Sequence, residues 1–303
     1  MRICFIGASK FGLRCLEAVA GLKEFQVVGV VTAPETFRIS YSRDGVKNVL
    51  HADVRAFCDA NKISYEVISD GMRTERLLDV VKFWSPDVFL VVGWYHMVPK
   101  SWREMAPAYG LHASLLPDYS GGAPLVWAII NGETRTGITL FQLGNGIDNG
   151  PIVGQAECEI KHEDTISTLY SRVEEIGLQL LVDKLPHMAS GKVRLVEQDE
   201  RRRRVFPQRD PSDGRINWGQ SAISIYNFIR AQTKPYPGAF TFLRGKKLTI
   251  WKSRLGNSGE VENVTGYVSV RGSTVHVACG YGNLEILDWE FDDSSCVLDD
   301  GVI

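Results

Sequence analysis

Near-continuous apolar runs at wide spacing, each followed by a segment of helical period, constrain this chain more than any other feature. The first run covers residues 2–7 and ends at Gly7; the second covers 25–31. Between them Phe11, Cys15, Leu16, Val19 and Leu22 fall on one face of a helix. Runs without polar alternation belong to strands buried on both faces, as in parallel sheets covered by helices. The pattern continues with a helix over 53–60, a short strand at 65–68, a helix over 73–84 and a buried strand at 88–92. This predicts a doubly wound, mostly parallel α/β sheet.

Strands follow at 136–143 and 152–160, then a long amphipathic helix over 165–189, with Asp164 as N-cap and Gly191 as the stop. The stretch from Asp199 through the arginines at 201–204 to Pro207 and Pro211 marks a boundary. It divides the chain into a domain at 1–200 and a second at 201–303. The second domain has a helix over 221–232 and short β segments at 239–243, 247–251, 266–270, 275–278 and 284–289. Short strands with Gly-rich turns predict a small open barrel.

Composition removes several function classes. A formal net charge of −2 gives no global attraction to nucleic acid or anionic membrane. Locally the charge is uneven: basic residues dominate from Arg201 to Arg254 and acidic ones from Glu260 to Asp300. The six cysteines form no Cys-x-x-Cys pair and several lie in apolar runs, so they read as reduced core thiols of a cytoplasmic protein. The six histidines show no ligand spacing with them, and no metal site is expected. The N-terminal apolar run is too short for a signal peptide or membrane span. The segment from Gly7 to Gly12 lacks Gly-x-Gly-x-x-Gly spacing and reads as a tight turn opening a helix, not a dinucleotide loop.

Chemistry concentrates at His112 and Asp148. Both lie beside Gly or Pro, where strands give way to loops. An imidazole titrates near neutrality, and a carboxylate beside it orients it. Together they suit proton transfer during attack on a carbonyl. Asp148-Asn149-Gly150 is also a strong turn signal, which is compatible with an active-site loop. Ser114 to Pro117 reads as support, with Ser114 bonding backbone beside His112 and a cis Leu116–Pro117 bond allowed. The loop Trp94-Tyr95-His96-Met97-Val98 follows a buried strand, at the end where α/β sheets take ligands.

These residues carry a resemblance. His112, Ser114 to Pro117, Gly121, Ala123, Pro124, Trp127, Asn131-Gly132-Glu133, Thr136-Gly137-Ile138-Thr139, Asp148 and Gly150 resemble the signature of formyltransferases that use N10-formyltetrahydrofolate. Pro207 through Trp218, Pro235 to Phe240, Lys247 to Trp251 and Gly280-Tyr281-Gly282 resemble the C-terminal domain of methionyl-tRNA and sugar N-formyltransferases. The resemblance implies that His112 is the general acid and base, that Asp148 orients it, and that N10-formyltetrahydrofolate is the co-substrate. It further implies that groups at His96, Met97, Val98, Gly144, Asn145, Gly146, Ile147 and Asp148 read the pterin.

One position departs from the family pattern. Gly110 stands where an Asn donates its amide to the oxyanion, and glycine has no side-chain donor. A backbone N–H, Asn145 or Asn149 can take that place. The segment 107–110 also looks shortened, and glycine permits positive φ or close cofactor approach. The acceptor expected from 121–133 is a small-molecule amine on a nucleotide-linked sugar. Alternatives are initiator methionyl-tRNA, water in a formyltetrahydrofolate hydrolase, or a catalytically weak folate- or nucleotide-binding protein. The arginines at 201–204, with Arg244, Lys246, Lys247, Lys252 and Arg254, read as a solvated face or a tRNA patch. Against tRNA, Arg38, Arg43 and Lys47 are interspersed with Glu35 and Asp44. A homodimer is compatible with the sequence.

Overall fold

The computed structural model describes residues 1–39, 42–68, 71–257 and 264–303. The side chains of Arg38, Arg43 and Asp44, and all of Glu260, lie outside the described residues. Two compact units make up the chain. One comprises Met1–Ser120, Gly137–Cys158 and Val173–Val205; the other comprises Gly121–Thr136, Glu159–Arg172 and Phe206–Ile303.

In the first unit the chain runs β1 (Arg2–Ile6), α1 (Lys10–Gly21), β2 (Gln26–Thr32), a hairpin of β3 (Thr36–Ile39) and β4 (Ser42–Lys47), α2 (Arg55–Asn61), β5 (Tyr65–Val67), α3 (Glu75–Trp84), β6 (Val88–Val91), α4 (Lys100–Met105) and β7 (Ala108–His112). A two-residue strand, β8 (Ser120–Gly121), and α5 (Pro124–Ile130), the latter part of the second unit, precede β9 (Arg135–Gln142) and β10 (Ile152–Glu159). The main sheet has the order β10-β9-β7-β6-β1-β2-β5. β2, β5, β6 and β7 join it in parallel, whereas β9 runs antiparallel to β7. The apolar runs occupy its centre: Ile3, Cys4, Phe5, Ile6 and Phe89 are fully buried. Each large side chain so buried contributes about 1.5–3 kcal/mol. The turn after β1 opens α1 as expected, with Ser9 accepting the Gly12 N–H at 2.9 Å.

α6 (Ile166–Ala189) ends as expected. Gly191 adopts φ +68, and Lys192 N–H reaches back to the His187 carbonyl. Its N-terminus differs. Thr165, not Asp164, accepts the Thr168 N–H. Asp164 is drawn away by stronger donors: the Arg172 guanidinium at 2.5 and 2.7 Å and the Lys161 N–H at 2.7 Å.

After β11 (Val205–Phe206) the second unit continues with α7 (Ala222–Gln232), β12 (Ala239–Leu243), β13 (Lys246–Leu255), β14 (Tyr267–Arg271), β15 (Thr274–Ala278), β16 (Asn283–Phe291) and β17 (Gly301–Val302). β12 to β17 form one antiparallel, barrel-like sheet of order β12-β13-β16-β15-β14-β17. Its core joins Ile225 and Ile229 of α7 to Leu248, Ile250, Val277 and Leu284. The basic and acidic halves of this region neutralise each other: Arg244–Asp299 at 2.8 Å, Lys246–Asp293 at 3.0 Å, Lys247–Asp292 at 3.7 Å and Arg254–Glu285 at 2.6 Å.

Candidate active site

The site grows from strand register. β7 lies between β6 and β9, so Gly110 pairs with both Val91 and Phe141, and His112 faces Thr139. His112 ends β7, where a tight turn begins. Ser114 N–H donates to the His112 carbonyl at 2.8 Å, and Ser114 Oγ donates to the Asp118 carbonyl at 2.7 Å. The Leu116–Pro117 bond is cis. Thr139 fastens this turn: its hydroxyl donates to the Ser114 carbonyl at 2.6 Å and accepts the Leu116 N–H at 3.1 Å. Gln155 Nε2 adds bonds of 2.9 Å to the Leu116 carbonyl and to Thr139 Oγ1.

The turn delivers the imidazole in a defined state. Nε2 lies 2.8 Å from the Tyr119 carbonyl, so it carries the hydrogen. Nδ1 faces Asp148 Oδ2 at 3.6 Å, with both side chains largely buried. That separation is too long for a formed hydrogen bond. It is therefore the Tyr119 carbonyl that sets the tautomer, a partner the sequence did not reveal. Asp148 sits at φ +50 in the left-handed region, in keeping with its turn signal.

Gly110 is neither left-handed nor irregular. It is buried within a strand in register on both sides, so the expectation of positive φ is not met. A Cβ there would meet Leu143 Cδ2 at 3.1 Å and Phe141 Cε1 at 3.4 Å, with the Val91 carbonyl oxygen at 3.7 Å. Asn149 Oδ1 accepts the Gly146 N–H at 2.9 Å, and Asn145 Oδ1 accepts from Arg103 Nη1 at 3.2 Å.

Arg103 escaped sequence reasoning. From α4 it also donates Nε to the Val98 carbonyl at 3.3 Å, tying the loop 94–98 to the loop 144–147. His96 packs between Phe37 and Trp94, with ring centroids 5.2 and 5.5 Å away. Burial holds its pKa below the usual imidazole value, and its Nε2 is buried without a partner. Met97 and Ile147 expose 61% and 50% of their surface, large apolar side chains left open on these two loops. Three of the four arginines of the run are ion-paired, while the Arg201 side chain stays 89% exposed and Arg202 is exposed. Arg201 pairs with Asp199 at 2.8 Å, Arg203 with Glu200 at 3.2 Å and Arg204 with Asp118 at 2.5 Å. Arg203 also donates to the Ile147 carbonyl, and Arg204 stacks on the Tyr119 ring at 4.8 Å. Nothing in charge or periodicity could have separated Arg203 and Arg204, bound to the 147 loop and the 118 turn, from the exposed Arg201 and Arg202.

Among the described residues no cluster of His, Cys, Asp and Glu could hold a metal, and no helix is long and apolar enough to cross a membrane. All six cysteines are free thiols; burial pushes Cys15 and Cys279 up to about 12 and Cys58 to about 11.

The architecture is that of a doubly wound α/β enzyme with an appended barrel-like domain. The chain belongs to the formyl transferase family: the family's transferase model matches residues 1–185, and the model of its C-terminal domain matches residues 209–296. Solved structures share the fold. An N-formyltransferase from Helicobacter canadensis, in complex with folinic acid and dTDP-3-aminofucose, is 19% identical over 95% of this chain and 99% of its own, with TM-score 0.70. Methionyl-tRNA formyltransferase from Clostridium thermocellum is 18% identical over 95% and 99%, with TM-score 0.55. HypX from Aquifex aeolicus is 17% identical over 97% of this chain and 45% of its own, with TM-score 0.63.

Proposed function

We propose that this enzyme transfers the formyl group of N10-formyltetrahydrofolate to the amine of a nucleotide-linked amino sugar, with His112 and Asp148 moving the proton. The observation that carries the reading is the approach of His112 Nδ1 to Asp148 Oδ2 at 3.6 Å, at the end of a strand beside two open loops. Every side chain invoked lies within residues 1–200, the proposed catalytic domain.

The loops 96–98 and 144–147 fit a flat heteroaromatic ring. They leave Met97 and Ile147 exposed as apolar faces and offer one orphaned buried nitrogen, His96 Nε2. When bound, the folate supplies an activated formyl carbon. Nε2 of His112 is committed to the Tyr119 carbonyl, so the edge open to a proton is Nδ1, shared with Asp148. The proton leaving the attacking amine is taken at that edge and given back from it to the departing nitrogen, work worth about two to four powers of ten. Gly110 provides no side-chain donor. The Asn149 amide NH2, its carbonyl fixed by Gly146 N–H, takes the oxyanion role; it has no protein partner among the described residues.

The sugar-nucleotide acceptor is favoured over tRNA by charge. Seven of the thirteen basic residues of 201–254 are engaged in the ion pairs above, which lowers the positive charge this stretch offers to phosphates. The test is incubation with N10-formyltetrahydrofolate and a dTDP-3-amino sugar, with mass analysis of the sugar nucleotide. A product heavier by one formyl group supports the reading. Folate turnover without amine would assign hydrolysis instead, and formylated initiator methionyl-tRNA would assign the tRNA reaction.

A further inference from the structure

The loop that carries Asp148 has an internal bond, Gly146 N–H to Asn149 Oδ1, and is gripped further from outside. Asp148 occupies the left-handed region, where a residue with a Cβ is disfavoured by about 1–2 kcal/mol. Three carbonyls of that loop are gripped from one neighbouring segment. Gln198 Nε2 donates to the Asp148 carbonyl at 2.8 Å and to the Gly150 carbonyl at 2.7 Å. Arg203 donates to the Ile147 carbonyl, and its side chain is 15% exposed. The segment is itself anchored, because Val196 and Ile152 exchange backbone hydrogen bonds of 2.7 and 2.9 Å. The cost of this arrangement is visible. Gln198 Oε1 and Arg203 Nε are both buried without partners. Two buried polar atoms are left unpaired so that the opposite ends of the same side chains can reach the loop, a sacrifice that general packing does not require.

We infer that Gln198 and Arg203 are positioning residues that hold the Asp148 carboxylate against His112; this rests on the catalytic reading of that pair. On this loop they touch backbone carbonyls only, Arg203 keeping its ion pair with Glu200, and they act through Asp148. Removing the Gln198 amide frees two carbonyls and lets residue 148 relax toward right-handed backbone, which carries the carboxylate away from Nδ1.

Two measurements on the full-length protein test this. In the first, imidazole 15N signals are recorded at fixed pH for wild type, Gln198→Ala and Asp148→Ala, the His112 signals being those absent from His112→Ala. Gln198→Ala should move them in the same direction as Asp148→Ala. In the second, formyl transfer to dTDP-3-aminofucose is followed in a double-mutant cycle. Gln198→Ala should lower kcat about tenfold, with KM for the formyl donor changed less than about twofold. It should cost nothing further in the Asp148→Ala background. Gln198→Lys, whose ammonium can serve both carbonyls, should recover most of the loss. Unmoved His112 signals in a folded Gln198→Ala protein would overturn the inference. So would a kcat loss that persists in full without Asp148. If Asp148→Ala instead keeps full kcat while the signals still move, the catalytic reading of Asp148 fails and the positioning stands.

Discussion

Asp164 offers the sharpest quantitative test of how the second unit is held. It is 4% exposed, and its carboxylate accepts from Lys161 N–H at 2.7 Å, Thr168 Oγ1 at 2.9 Å and Arg172 at 2.5 and 2.7 Å. Burial alone would raise its pKa. The Arg172 guanidinium and the other donors outweigh burial and bring it from 3.8 down to about 2. A carboxylate with depressed folded-state pKa stabilises fully above its unfolded pKa, and that stabilisation is lost as pH falls through the folded value. At about 1.4 kcal/mol per pKa unit the contribution near neutrality is about 2 kcal/mol. Roughly half is gone at pH 3, between the two values. Asp164→Asn keeps the shape and removes the charge. Arg172 is one-third exposed, so water can solvate it once unpaired, and the loss at pH 6 should stay at about 2–3 kcal/mol. The assay is urea unfolding of both proteins at pH 6 and pH 3, read by circular dichroism. The gap between them should narrow by about 1 kcal/mol at the lower pH. An equal gap at both values would refute the assignment of this stability to the ionised carboxylate.

His112→Ala should lower kcat by about a hundredfold or more while leaving the melting temperature close to wild type, checked by single-turnover kinetics and a thermal scan. Gly110→Asn should not raise kcat, because its Cβ emerges against Leu143 and Phe141 and its amide would be buried beside them; a kinetic comparison with wild type decides this. Gly137→Ala should destabilise by about 1–3 kcal/mol, since its Cβ would lie 2.2 Å from the Ala156 carbonyl oxygen, and a lowered denaturation midpoint is the readout. Binding to initiator tRNA should be weak at low salt and show a shallow salt dependence by fluorescence titration; tight binding that collapses as salt rises would contradict the charge pairing described here.

The sequence by itself determined the layout of the α/β sheet. Residues 3–6, 29–31 and 88–91 had to be buried on both faces because they offer no polar side chain to face water, and that burial selects helix-covered parallel strands. It also marked His112 and Asp148, since a titratable pair beside strand-ending Gly and Pro stands out against an apolar background. The Gly191 stop was legible for a local reason: a left-handed terminus favours glycine. Tertiary structure decided the rest. Only the β7–β9 register brings His112 beside Thr139 and toward Asp148, and only the returning chain places the Tyr119 carbonyl on Nε2. Arg103, Gln198 and Arg203 gave no sign of their places, because bonds from a side chain to a distant carbonyl leave no periodicity in the chain that makes them. Asp164 misled for the same reason: the local rule offers it a helix N–H, and a guanidinium two turns along binds it more strongly.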